Sequence, residues 1–248
     1  MQSALVTGAS RGIGLELVRQ LASRSPKLTH IFATCRNPDN AKELQALAAQ
    51  NDNVKIIQID VQNEATIMAA VKTVSEHLGE EGLNLLINNA GMATREKYDT
   101  ITRKELTTIL DVNLIGPMML TQAFLPLLKL AAKRSPIKKF SVDRAAIINI
   151  SSGMGGITEC SGGFPGYRES KAALNMFSKS LSIVLKKEKI LVFSQCPGWV
   201  QTDLGGSNAK KTVAGAVSGL LEIFATVSEK EHGLFLSNRG LPIVVLAF

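Results

Sequence analysis

Tyr167 and Lys171 stand four residues apart in Tyr167-Arg168-Glu169-Ser170-Lys171, a spacing that sets both side chains on one face of a helix. A phenol beside an ammonium is a proton donor with a built-in electrostatic activator. An unperturbed Tyr titrates near ~10, and a close cation favours the phenolate and moves that value toward the working pH. Ser151 and Ser152 end the apolar run that precedes this segment, where a hydroxyl can bond a substrate carbonyl and stabilise a developing alkoxide. The Tyr/Lys pair alone carries little weight, because both residues are common on helices. Its value comes from what surrounds it.

Thr7-Gly8-Ala9-Ser10-Arg11-Gly12-Ile13-Gly14 follows the first apolar run and opens an amphipathic segment. Glycine lets such a turn approach a pyrophosphate, and the free N–H groups at the start of the helix face the anion, so Gly8, Ser10, Arg11, Gly12, Ile13 and Gly14 are read as dinucleotide-binding. After the second run, where a reader of the unphosphorylated ribose carries Asp or Glu, the chain reads Thr34-Cys35-Arg36-Asn37. A cation there favours a 2′-phosphate, and Arg36 and Arg11 together would grip it, which selects NADPH (NADP). Asp60 and Val61 end the third run, where a carboxylate and the next N–H can meet an adenine. Asn89, Ala90 and Gly91 end the fourth, on the same ligand-binding edge.

Seven short apolar runs, near Ala4–Thr7, His30–Cys35, Val54–Asp60, Leu83–Asn88, Ala145–Ser151, Ile190–Cys196 and Leu234–Leu236, alternate with helical patterns near Gly12–Arg24, Asp39–Gln50, Glu64–Leu78, Thr102–Ala132, Tyr167–Lys187 and Lys211–Val227. This order predicts an α/β fold: a doubly wound, Rossmann-type, seven-stranded parallel sheet with helices on both faces and right-handed crossovers. No linker or repeat divides the chain, so residues 1–248 read as one domain.

The composition fits that reading. Of 248 residues, 45% are hydrophobic and 20% charged, which excludes intrinsic disorder, collagen and a disulfide scaffold. The formal charge of +7 raises nucleic acid or a membrane surface as partners, but six Lys and Arg against one acid fall within residues 127–144. That excess coincides with the segment Ala131–Arg144, read as a solvated loop insertion. It has no interleaved aromatics and matches no nucleic-acid module. The N-terminus has no basic region followed by an apolar one, and no window is expected to span a membrane. The terminal PIVVLAF is expected to be a buried end or a subunit contact. Cys35, Cys160 and Cys196 are odd in number and far apart, as suits a reducing, cytoplasmic setting, and neither they nor His30, His77 and His232 form a metal pattern.

In order and over nearly the whole chain, TGASRGIG, NNAG, the Asn113 of DVN, INISSG, YRESK and CPGWVQTD resemble the short-chain dehydrogenase/reductase superfamily. TCRNP, FLPLLKLAAK, YRESKAALNMFSKSL and CPGWVQTDLGG are most similar to the Sniffer-type carbonyl reductases and the bacterial C-factor group. The resemblance implies Asn113, Ser152, Tyr167 and Lys171 as the catalytic set. Tyr167 would give a proton to the carbonyl oxygen as hydride arrives from the nicotinamide, and Lys171 would lower the Tyr pKa and hold the ribose. Asn113 would position a water that links Lys171 to solvent. It further implies that Pro197, Gly198, Val200 and Thr202 contact the cofactor, and that the chain forms a two-fold dimer through a helix bundle. The loop Gly153–Gly166 is a little longer than the family's, which leaves substrate choice open.

The residues Met154, Ile157, Phe164, Trp199 and Leu204 are expected around the nicotinamide, with Ser152, Met154, Trp199 and Leu204 as substrate contacts. An apolar lining suits small carbonyl compounds such as aldehydes, ketones and quinones. Cys160, in the same loop, is either an idle thiol or a redox-sensitive one. The leading reading is an NADPH-dependent carbonyl reductase. The alternatives are a steroid or secondary-alcohol dehydrogenase running the other way, and a non-catalytic dinucleotide sensor.

Overall fold

The central strands of this chain are apolar on both sides, so they can be buried only between two layers of helix. In the computed structural model, which describes residues 1–24, 28–158 and 160–243, the seven strands are β1 (Ser3–Val6), β2 (His30–Cys35), β3 (Val54–Gln58), β4 (Leu85–Asn88), β5 (Ala146–Ile150), β6 (Leu191–Gln195) and β7 (Phe235–Leu236). They form one sheet in the order β3-β2-β1-β4-β5-β6-β7, every neighbouring pair parallel. Side chains alternate between two cores. Ala4, Val6, Ile31, Ala33, Leu85 and Ile87 face α1 (Gly12–Arg24), α2 (Lys42–Ala49) and α7 (Val213–Thr226). Leu5, Phe32, Leu86, Ile147 and Val192 face α3 (Glu64–Leu78), α5 (Gly116–Arg134) and α6 (Tyr167–Leu185). The strand order reverses between β1 and β4, and the crevice at their carboxyl ends is where an open α/β sheet binds its ligand.

Three sequence expectations need correction. The pattern near Thr102–Ala132 is not one regular helix: α4 (Arg103–Leu110), capped by Thr102 and Glu105, passes through a π-turn at Asp111–Ile115 before α5 begins. The helical run Arg103–Arg134 is nevertheless long and apolar enough to cross a membrane by length and composition, contrary to the expectation. Its α5 portion buries Leu120, Phe124, Leu127, Leu128, Ala131 and Ala132, as a core helix does. The basic stretch is also less solvated than its charge suggests. Its first four residues complete α5, and the remainder folds back with Phe140 and Val142 buried. Arg134 pairs with Glu80 and Glu81, and Arg144 donates to the carbonyls of Ile137 and Glu188.

Pro242 and Ile243, which begin the C-terminal apolar run, pair with the β7 region. Residues 244–248 of that run lie outside the described residues.

Candidate active site

The glycine turn is built for close approach. Gly8 and Gly12 have φ of +66° and +57°, left-handed values that a side chain strains. A Cβ on Gly14 would lie 2.2 Å from the Gly8 carbonyl oxygen. The turn therefore closes tightly on itself before α1, and a glycine turn that leads into a helix N-terminus is the backbone arrangement that fits a dinucleotide pyrophosphate. The turn is tied to the end of β4: the Thr7 hydroxyl accepts from the Asn89 and Ala90 amides at 2.9 and 3.0 Å, and Asn89 Nδ2 donates to Thr7 O at 2.8 Å. Asn89, Ala90 and Gly91 therefore shape the same crevice as Gly8, Ser10 and Ile13.

Around this crevice stand the other residues expected to hold a cofactor. Arg36 is exposed just beyond β2, at the rim where a 2′-phosphate would lie. Arg11 forms an exposed ion pair with Asp203 at 3.1 Å, so the glycine turn meets the loop after β6. Thr202 sits against Gly12 there, 3.4 Å from its Cβ position, and its hydroxyl accepts from the Gly205 amide. One carboxylate oxygen of Asp60 accepts from the Gln62 amide at 3.1 Å, leaving the other to a ligand. Val61 abuts Gly116, whose missing side chain lets α5 approach it. Pro197 and Val200 are buried, and Gly198 turns at φ +85°.

The catalytic candidates converge on this edge. Asn113 is held by the π-turn: its Oδ1 accepts from the Met92 amide at 2.8 Å, and its Nδ2 donates to Met92 O at 2.8 Å and to Ser170 Oγ at 3.0 Å. A Cβ on Gly91 would lie 3.3 Å from Asn113 Oδ1 and 3.5 Å from Lys171 Nζ, so all three meet. The Lys171 ammonium is buried, donates to Ile150 O at 2.9 Å and lies 5.8 Å from the Tyr167 ring centroid. Burial lowers its pKa to about 8, against a weak opposing pull from Cys196. Burial likewise pushes the Tyr167 phenol above its ordinary value, against an opposing pull from the nearby Ser152 hydroxyl. The sequence expectation that Lys171 would draw the phenol down is not met in the cofactor-free protein, where burial sets the direction of the shift. Tyr167 is therefore a phenol held protonated at neutral pH. Ser152 Oγ accepts from the Met154 amide at 3.2 Å, which leaves its own proton free to donate.

Met154 is half-buried beside Ser152, whereas Ile157, Phe164, Trp199 and Leu204 are exposed in the loops after the adjacent strands β5 and β6. Trp199 is fixed by donation from its indole to Gly205 O at 2.7 Å.

Several contributors had no signal in the sequence. The Cys196 sulfur accepts from the Gly153 and Gly198 amides at 3.2 and 3.4 Å and joins the Ser152 loop to the Pro-Gly turn. Asn88, Asn149 and Ser194 lie in register across three strands. Asn88 bonds Thr121 and Asn149, while Ser178 accepts from both Asn149 and Ser194. This buried seam fastens α5 and α6 to the sheet beneath the site. Among the described residues no group of three or more His, Cys, Asp or Glu is positioned to hold a metal.

Comparison with known proteins identifies the family and the fold. Residues 2–212 match the short chain dehydrogenase family. The carbonyl reductase Sniffer of D. melanogaster is 40% identical, with a TM-score of 0.95 over 98% of this chain and 99% of that one. An NADPH-bound carbonyl reductase from chicken fatty liver is 42% identical, with a TM-score of 0.95 over 98% and 94%. The short-chain dehydrogenase anuI of Penicillium roqueforti is 31% identical over 92% of this chain and 90% of its own length. With the family matched over most of the chain and relatives alike in fold over nearly all of it, the chain is an oxidoreductase that belongs to the short-chain dehydrogenase family.

Proposed function

We propose that this protein reduces small apolar carbonyl compounds, among them aldehydes, ketones and quinones, to alcohols with NADPH. The observation that carries the reading is geometric: Tyr167, Lys171 and Asn113 come together beside Gly91 at the carboxyl edge of the sheet, where Ser152 follows β5. Reduction needs a proton at the carbonyl oxygen, and a neutral phenol holds one ready. Ser152 donates to the same oxygen and stabilises the charge that develops there. NADPH, when bound, supplies the hydride. Lys171 holds positive charge behind the phenol as it ionises, and Asn113, locked on Met92 and Ser170, keeps the path behind Lys171 polar.

Arg36, standing where an acidic residue would otherwise meet a ribose hydroxyl, supports the phosphorylated cofactor, as does the NADPH-bound chicken relative. The exposed apolar side chains of Ile157, Phe164, Trp199 and Leu204 support substrates without charge. Arg11 and Arg36 count against running as a steroid or secondary-alcohol dehydrogenase, because cells usually keep NADP reduced. A sensor without turnover has no need of the complete Asn, Ser, Tyr and Lys set.

The protein acts as a homodimer, because α5 and α6 expose Met118, Met176, Ile183 and Val184. It works as a single domain, and its free thiols suit a reducing cytoplasmic compartment. Following NADPH and NADH oxidation over a panel of aldehydes, ketones and quinones tests the reaction. Turnover confined to NADPH and apolar carbonyls is expected, and no oxidation of either cofactor with any member would overturn the reading. Sedimentation at micromolar concentration tests the dimer.

A further inference from the structure

The loop between Ser152 and Tyr167 is anchored to the fold at both ends. Near its start, a Cβ on Gly155 would lie 2.8 Å from the backbone of Lys171, so this turn rests directly on α6. At its far end Gly166 packs on Leu106 and Ile109 of α4. The limb Ser161-Gly162-Gly163-Phe164 combines two glycines at φ +76° and +71° with Phe164 at +54°, a chain with little conformational preference of its own.

One side chain gathers that limb. Arg168 is 9% exposed, and its Nε donates to both Gly162 O and Gly163 O at 2.9 Å. Its Nη2 donates to Ser161 Oγ at 2.9 Å, and its Nη1 reaches Met154 O at 3.5 Å. A planar guanidinium with five donors can serve carbonyls on two limbs at once, which an ammonium cannot do with the same rigidity. Arg168 follows Tyr167 directly in sequence, so the clamp is referenced to the catalytic phenol itself.

We propose that Arg168 is a positioning residue that sets substrate selection by holding residues 160–166, and with them Phe164, together with Met154, against the carbonyl site. This inference rests on the carbonyl-reductase reading and specifies which residue shapes its pocket. Arg168 meets no reacting atom, so its removal should change the fit of a bulky substrate more than the chemistry of a small one.

The test compares wild type, Arg168→Met and Arg168→Lys with a bulky diketone, 9,10-phenanthrenequinone, and a small aldehyde, propanal. The Met variant is expected to raise KM for the diketone about tenfold, with kcat for propanal and Kd for NADPH within about twofold of wild type. The Lys variant, which keeps a cation able to reach one limb, should recover part of the loss. Hydrogen exchange supplies a readout independent of activity: amides of residues 160–164 should exchange faster in the Met variant, while those of β6 and the distal half of α6 stay unchanged. Wild-type exchange in that loop would overturn the clamp. Faster exchange with an unchanged ratio of the two KM values would overturn its role in selection. A wild-type protein that reduces neither probe would overturn the carbonyl-reductase reading instead, and the exchange data would still decide whether Arg168 holds the loop.

Discussion

Lys171→Met should make the cofactor-free protein more stable while abolishing its activity. The ammonium is 4% exposed, its hydrogen bond runs to a backbone carbonyl, and among the described residues no carboxylate forms an ion pair with it. Desolvation lowers its pKa from 10.5 to about 8. At about 1.4 kcal/mol per pKa unit, the charged form costs the fold about 3 kcal/mol at pH 7. Below the folded value of about 8 the whole penalty is present. As pH rises from there toward 10.5 the folded protein releases the proton while the unfolded chain keeps it, and stability rises. By pH 9.5 the penalty has fallen to about 1 kcal/mol. Methionine has similar length and no charge, but it leaves the Ile150 carbonyl without its donor, which costs about 1–2 kcal/mol. The variant should therefore gain about 1–2 kcal/mol at pH 7, and the gap to wild type should close by about 2 kcal/mol at pH 9.5. Urea unfolding of both proteins at the two pH values, followed by circular dichroism, measures it. A gap that stays constant between them, or a variant less stable than wild type at pH 7, would refute the claim that Lys171 is buried with its charge poorly compensated.

Tyr167→Phe removes only the transferable proton, so turnover should fall about a thousandfold while Kd for NADPH, read by fluorescence titration, stays within about twofold. Arg36→Asp replaces the exposed cation beyond β2 with the charge that a plain ribose prefers; Kd for NADPH should rise about tenfold and NADH should improve, and an unchanged cofactor ratio in steady-state kinetics would remove Arg36 from the site. His232 accepts from the Val192 amide through Nδ1 and meets Ser182 O through Nε2, an arrangement that suits the neutral ring. Its pKa is lowered chiefly by burial, so the unfolded chain takes up the proton first as pH falls below 6.5 and stability declines there. His232→Gln should show a flatter Tm profile between pH 7 and 5 in thermal melts, and parallel profiles would count against this titration.

The parallel sheet, the glycine turn and the Tyr/Lys pair were legible in the sequence because their causes are local. A strand buried on both faces is apolar throughout, a turn against a phosphate needs glycine, and an i, i+4 pair shares a helix face in any context. Arg168 and Cys196 carried no such mark. Their roles depend on which backbone groups lie opposite, and Met154, Gly162 and Gly153 come within reach only when the loop after β5 folds back on α6 and β6. The break at Asp111–Ile115 was equally hidden, since it exists to aim Asn113 at Met92, a residue 21 positions away in the chain. The charge of the basic stretch suggested a solvated loop, whereas Phe140 and Val142 within it found space under the sheet. The protonation of the site shows the same division most clearly. Residue types alone placed a cation beside a phenol and so pointed to a lowered Tyr167 pKa. The tertiary structure removed water from both groups, and because desolvation acts on every charge in a closed site, it raised the phenol and lowered the ammonium instead.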